Sequence, residues 1–321
     1  MTTDRRSESV FVEAPARLHF GILDLSGSLG RWFGGVGAGA PAPTLLLSAS
    51  RARLLDVDGE DAGRAEDFAK RFLSHHGISQ GANVRIHRAL PAHRGLGSGT
   101  QLALAVARAL AELYEIDADV QQLAAAVGRT HRSAVGTFIF EGGGLVAEGG
   151  RHRDRGGSAP LIARVPFPAQ WRCIVAIPDA APALTGEQEA AAFARLRAPD
   201  GRDAEHVAHL VLMGLLPALI EADLPMFGKM LSAIQETTGR WFAPIQGGTF
   251  AAGASASIAR LLQQWGAHGV GQSSWGPAVY GIFESEECAR TVAERLRREL
   301  GGSCDVYEGP FRTEGAKVWR E

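Results

Sequence analysis

The chain is poor in several features that would narrow its chemistry. Only three of its 321 residues are cysteine (Cys173, Cys288 and Cys304), and none stands in a CxxC pair or beside histidine ligands. That argues against a thiolate metal site and a disulfide framework, and predicts unpaired thiols in a reducing compartment, with Cys173 in an apolar strand and Cys288 in a helix. The opening MTTDRRSESVFVEAP has no apolar run of the signal-peptide kind. The longest apolar run, 210–220, is too short to cross a bilayer and contains Pro217. The expectation is a cytoplasmic protein without a membrane segment. Lys plus Arg number 33 against 35 Asp plus Glu, a net charge of −2, so no overall attraction to nucleic acid is expected. No Gly-Lys-Ser/Thr follows any glycine loop, which removes a Walker A site.

Glycine, by contrast, is abundant: 40 residues, clustered rather than scattered. The cluster that organises the chain is Gly95-Leu96-Gly97-Ser98-Gly99-Thr100-Gln101, running straight into the helix-forming LALAVARALAEL. A helix start leaves several N–H groups without intrahelical acceptors and carries partial positive charge. Glycines ahead of it keep side chains away, so a phosphate can reach those groups. Ser98 and Thr100 suit either a helix cap or an anion ligand. An ordinary capped loop is the alternative.

Length suggests about two domains. Residues 8–22 alternate as a strand interrupted at Pro15, and the glycine-rich stretch 24–43 reads as a long loop of the functional or mobile kind. The segments 44–50 and 52–57 read as a strand pair, 63–77 as a helix and 82–90 as a strand. A helix is expected from an Asp117 cap, then two short strands, TFIFE and GLVAEG, joined through glycines 142–144, and an exposed charged turn over 149–157. Beyond about residue 160 the pattern becomes strand–helix alternation. Strands are expected at 172–178, 270–274, 278–283 and 303–308, and helices over EQEAAAFARLR, 202–221, 223–239, 255–266 and 285–299. The boundary is placed there, giving units 1–160 and 161–321.

Ala14-Pro15-Ala16-Arg17, the glycine loop opening a buried helix, and a late glycine-rich element together resemble the GHMP kinase superfamily. Within it, ARLHFGILDLSGSLGR (16–31), GLGSGTQLALAVA (95–107) and GVGQSSWGPAVYGI (269–282) resemble the β-ribofuranosylaminobenzene 5′-phosphate synthases, and RTHRSAVGTFIFEGGG (129–144) and LTGEQEAAAF (184–193) are similar as well. The resemblance implies an α+β, GHMP kinase-like two-domain fold: an N-terminal domain like domain 2 of ribosomal protein S5, and a ferredoxin-like C-terminal domain. It implies phosphoribosyl pyrophosphate and 4-aminobenzoate or 4-hydroxybenzoate as substrates, Mg2+ as cofactor, and a C-riboside 5′-phosphate, CO2 and pyrophosphate as products, in tetrahydromethanopterin biosynthesis. A homodimer is the expected assembly. The alternative is an ATP-dependent small-molecule kinase of the same fold. Kinases of the superfamily that use a catalytic Asp carry it just after the second helix, where this chain reads Ser133-Ala134-Val135-Gly136-Thr137.

Under this resemblance the catalytic candidates are Arg17, His19 and Asp24. Arg17 and Arg31 offer bidentate forks to phosphate or benzoate oxygens, against a surface salt bridge as the alternative. His19 is the candidate to donate to pyrophosphate or to assist the proton balance, against a satisfied core histidine. Asp24 is the candidate for Mg2+ or for charge at C1, against a turn-capping role, and Glu141 is a second metal candidate. Gly95, Gly97, Ser98, Gly99, Thr100 and Gln101 are assigned to a phosphate cluster, and Arg129, Arg132 and Ser133 to the 5′-phosphate. Gln272, Ser273, Ser274 and Trp275 are assigned to the aromatic substrate, with Trp275 stacking on its ring. Glu187 and Glu189 open a helix, where the dipole favours them in any case. The pairs His206/His209 and His75/His76 lack a third ligand and read as surface residues.

Overall fold

The computed structural model describes residues 8–130, 133–155, 157–180, 191–193, 195–196 and 201–321. Two sheets carry the fold. The larger is built on two long antiparallel strands, β1 (Val10–Asp24) and β2 (Arg31–Ala52). The second half of β2 pairs with β4 (Gly81–Arg88), which holds β3 (Asp56–Gly59) in parallel. The first half pairs with β5 (Leu145–Glu148) and β6 (Arg151–His152), and β5 in turn pairs with β7 (Leu161–Val165). The last strand, β12 (Lys317–Arg320), returns to the free side of β1. The chain thus leaves this sheet after Val165, just past the expected division at 160, and re-enters it near its end.

The smaller sheet is antiparallel, with β8 (Arg172–Pro178), β9 (Gly269–Gln272), β10 (Val279–Phe283) and β11 (Cys304–Pro310) in the order β11-β8-β10-β9. In chain order that is fourth, first, third, second, with helices after the first and third strands: the ferredoxin-like arrangement. Alternation along β8 divides its side chains. Ile174 and Ala176 pack with helices α7 (Ala254–Gln264) and α8 (Glu286–Leu300), while Cys173, Val175 and Ile177 join the main core shared with the larger sheet. All three cysteines are free, with Cys173 and Cys304 buried.

Helix α1 (Ala62–His75) and helix α2 (Ser98–Leu113) lie on the larger sheet. Nearly every residue of α2 is buried, as its composition predicted. Helix α3 (Val120–Ala126) is capped by Asp119, whose carboxylate takes the Gln122 amide while the Gln122 side chain takes the Asp119 amide, so the cap is two residues later than expected. The segment read as strand TFIFE is helix α4 (Val135–Gly142), buried from Val135 through Phe140. The glycine-rich stretch read as a loop is mostly β2, and the connecting turn is only 25–30. Glycines 35 and 37 fall on one face of that strand because side chains alternate. A Cβ at Gly37 would lie 2.7 Å from Val135 and 2.3 Å from the Leu18 carbonyl, and one at Gly35 2.9 Å from Val135. The glycines let α4 sit directly on the sheet.

Helix α5 (Gly201–Ile220) contains a π-helical turn at Val211–Leu215 and runs for 20 residues, within one residue of the expected 202–221. By length and composition it is the one described helix that could cross a membrane. Here it packs on β1 and on α6 (Leu224–Gln246), which starts at the Asp223 cap as predicted but runs past Gly239 to Gln246. Most of EQEAAAFARLR, with Glu187 and Glu189, lies outside the described residues.

Candidate active site

The glycine loop meets the sheet at Arg17, whose amide donates to the Leu96 carbonyl at 2.9 Å and whose Nη1 donates to the Gly95 carbonyl at 3.1 Å. Gly97 takes the left-handed conformation (φ 72°) as N-cap of α2, and no side chain caps the helix. Thr100 and Gln101 both donate their amides to the Gly97 carbonyl. Among the described residues the amides of Ser98 and Gly99 have no acceptor. Neither Ser98 nor Thr100 caps the helix, so the mouth is lined by backbone. A Cβ on Gly97 would stand 3.3 Å from the Arg17 Cβ, and one on Gly99 2.4 Å from Nη2 of Arg129 and 3.5 Å from Nη1 of Arg64. Two guanidinium groups therefore crowd the first turn of α2. Arg129 also lies over the Phe68 ring at 5.0 Å, and Arg64 pairs with Asp61. Arg64 was missed from sequence; nothing in GRAEDFAK ties this position of α1 to a loop 30 residues on.

Other members of the predicted set are spent on structure. Gln101 is fully buried on α2 and donates to the Gly136 carbonyl at 2.9 Å. Ser273 is fully buried, accepts the His19 amide at 2.9 Å and donates to the Gly95 carbonyl at 2.6 Å. Gln272 accepts the Ala251 amide and donates to Gln246 and to the Ser274 carbonyl. Trp275 is packed against Phe242 (centroids 4.4 Å) and Phe193 (5.5 Å), so its ring is core rather than a free stacking platform. The segment 272–275 acts as a strut behind the glycine loop. Ser274, with φ 57°, lines a small, partly open cavity of about 20 Å³, roughly one water in size, together with His19, Gln235, Thr238 and Gln272.

His19 is buried, and burial followed by the neighbouring Arg17 charge lowers its pKa to about 3. The imidazole is neutral at physiological pH and has no proton to give as an imidazolium. A cationic donor role does not fit.

A second set gathers at the β1–β2 turn. The Asp24 Oδ1 accepts from the Ser26 amide and hydroxyl, each at 2.6 Å, and from the Gly27 amide at 3.1 Å, while Oδ2 accepts nothing among the described residues. Arg31 donates to the Gly150 carbonyl at 2.7 Å and contacts His152 Nε2 at 3.0 Å. Phe33 and Gly34 both have positive φ (72° and 59°), a kink where β2 passes Asp24. Trp32 and Phe33 form an aromatic wall with the Arg151 guanidinium 6.0 and 5.6 Å from their centroids and that of Arg153 5.0 Å from Trp32.

Ser133 stands at the start of α4, where its hydroxyl accepts the Val135 amide at 3.3 Å. Arg132 lies outside the described residues. Glu141 is at the other end of that helix, ion-paired to Arg164. Eight helical residues, about 12 Å, separate it from the Ser133 end, so it does not join Asp24. No three His, Cys, Asp or Glu among the described residues gather as a metal cage. A Mg2+ ion would find one protein carboxylate here, Asp24, and would need its other ligands from substrate phosphates and water.

Family models agree with this geometry. The GHMP kinase N-terminal domain matches residues 64–142 and the GHMP kinase C-terminal domain residues 215–302. The homoserine kinase of Cytophaga hutchinsonii superposes with a TM-score of 0.66 at 18% identity, covering 99% of this chain and 98% of that one. Mevalonate kinase of L. major gives 0.69 at 16%, covering 93% and 95%. These likenesses concern the fold. In sequence, the beta-ribofuranosylphenol 5′-phosphate synthase of Archaeoglobus fulgidus is 34% identical, covering 96% of this chain and 98% of its own. That of Methanothermobacter thermautotrophicus is 33% identical, covering 89% and 92%. The chain belongs to the beta-ribofuranosylphenol 5′-phosphate synthase family, built on the GHMP kinase fold.

Proposed function

We propose that the protein condenses phosphoribosyl pyrophosphate with 4-hydroxybenzoate or 4-aminobenzoate, releasing CO2 and pyrophosphate, as a step of tetrahydromethanopterin biosynthesis. The observation that carries this is the mouth of α2: two acceptor-free amides, no side-chain cap, and the guanidinium groups of Arg64 and Arg129 over Gly99. Such a mouth suits a diphosphate. Arg17, tied to the same loop, completes the anion cradle.

In this reading the bond from C1 to the diphosphate oxygen breaks as the ring carbon bearing the carboxylate attacks C1. The C–COO⁻ bond then breaks, its electron pair restores aromaticity, and CO2 leaves. No proton is gained or lost, so a neutral His19 is no obstacle. The chain's contribution is positioning and charge stabilisation. Arg31 takes the benzoate carboxylate beside the Trp32–Phe33 wall, and Asp24 faces the positive charge that develops at C1. Asp24 would also hold Mg2+, which would neutralise charge on the departing diphosphate.

The stretch Ser133–Thr137, the neighbourhood in which kinases of the fold that use a catalytic Asp carry it, contains no Asp. This disfavours phosphoryl transfer from ATP. The enzyme is placed in the cytoplasm, where free thiols persist. A homodimer is proposed, with Leu212, Met213 and Ile220, exposed on α5, as its apolar contact.

The test is release of labelled CO2 from carboxyl-labelled 4-hydroxybenzoate. Release that requires phosphoribosyl pyrophosphate supports the proposal. Phosphate transfer from ATP to a small alcohol, with no CO2, would replace it with the kinase reading.

A further inference from the structure

Glu148, the last residue of β5, is a fully buried carboxylate that neither the sequence motifs nor the reaction just described employs. It stands opposite Gly35 in the β2–β5 register, and a Cβ on Gly35 would come within 3.1 Å of its Oε1 and 3.0 Å of the Ser133 hydroxyl. Oε1 accepts the Ala134 amide at the start of α4 at 3.3 Å, Oε2 accepts the Gly150 amide at 2.7 Å, and the Ser133 hydroxyl donates to the same carboxylate. The peptide carbonyl of Gly150 is in turn the 2.7 Å acceptor of Arg31.

One buried acid therefore links the start of α4 to the hairpin that grips Arg31. Gly150 has φ 66°, and a Cβ on it would stand 2.5 Å from the Trp32 carbonyl, so this turn of the hairpin requires glycine.

We infer that Glu148 is a positioning residue for the benzoate site: by fixing the Gly149–Gly150 peptide it holds the two successive carbonyls, Gly149 at 3.4 Å and Gly150 at 2.7 Å, that accept Arg31, and so sets its guanidinium in line with the substrate carboxylate. Burial, only partly offset by its Gly150, Ser133 and Ala134 hydrogen bonds, holds the carboxyl up to about 7. A glutamine of the same shape would avoid that desolvation, but with one acceptor oxygen it cannot serve both ends of the link.

The inference rests on the assignment of Arg31 to benzoate. The experiment measures KM for 4-hydroxybenzoate and for phosphoribosyl pyrophosphate in Glu148→Gln, Arg31→Ala and the double variant. Glu148→Gln is expected to raise the benzoate KM by about 10-fold, the scale of a charge-assisted hydrogen bond, and to leave the donor KM within about twofold. In the Arg31→Ala background it should add nothing. Equal losses for both substrates, or an undiminished penalty in the Arg31→Ala background, would overturn it. Should Glu148→Gln not fold, Glu148→Asp, which keeps the charge but withdraws it by one methylene, gives the same readout; an unchanged benzoate KM there rejects the inference. An Arg31→Ala enzyme with normal benzoate KM rejects the parent assignment instead.

Discussion

Gly95 and Gly276 cross so closely that neither tolerates a side chain: a Cβ on Gly276 would fall 2.1 Å from the Gly95 amide nitrogen, and one on Gly95 3.0 Å from the Gly276 Cα. The glycine loop of the first half of the chain is thereby held by the β9–β10 turn of the second. Ser273 makes the same connection through its hydroxyl. Gly276→Ala is expected to cost about 1–3 kcal/mol, the range for overpacked sites, and to raise the KM for phosphoribosyl pyrophosphate. Denaturant unfolding and steady-state kinetics measure both. An unchanged midpoint would mean that the two glycines are not in contact.

Gly97→Val places a branched side chain at φ 72°, with its Cβ 3.3 Å from that of Arg17. The donor KM should rise by about 10-fold or more, a loss of at least about 1.4 kcal/mol, while the benzoate KM changes little. Calorimetric titration with pyrophosphate checks the same point without turnover. Normal pyrophosphate affinity would remove the loop from the donor site.

Asp24→Asn separates two roles. The amide oxygen of asparagine can still accept the Ser26 and Gly27 donors, so the turn and the melting temperature should survive. Turnover should fall about 100-fold, the size expected when one electrostatic stabiliser of a transition state is lost. Full turnover would leave Asp24 as a turn residue alone.

The pH dependence of stability has a defined sign. His19 has a folded pKa of about 3 against 6.5, so between those values the unfolded chain binds the extra proton and stability falls as pH drops. The slope approaches 1.4 kcal/mol per pH unit inside the window. Glu148 acts oppositely: its folded pKa of about 7 against 4.5 makes stability fall as pH rises through that interval. Chemical unfolding of His19→Gln beside the parent should show the parent losing stability relative to the variant as pH falls below 6.5. A constant difference would mean that His19 is not buried neutral.

Much of this architecture was legible in the chain. Helix α2, strand β8 and helix α8 follow from periodicity, and the open, glycine-lined start of α2 from Gly95–Gly99. What failed has physical causes. TFIFE is rich in β-branched and aromatic residues because α4 is buried from Val135 through Phe140, where composition no longer separates helix from strand. Glycines 35 and 37 looked like a loop because a strand that accepts a helix at van der Waals distance must lose its side chains there. Trp275 and Gln272 matched the family pattern, yet their partners lie behind the loop and not in front of it. Arg64 and Glu148 carried no local signal, since only the tertiary fold brings α1 to Gly99 and β5 to the Arg31 hairpin.

The most direct measurement is a crystal structure with phosphoribosyl pyrophosphate bound. The account predicts diphosphate oxygens within hydrogen-bonding distance of the Ser98 and Gly99 amides, with Arg64 and Arg129 beside them. A donor bound instead along the Arg31 hairpin, with the mouth of α2 left to solvent, would contradict it.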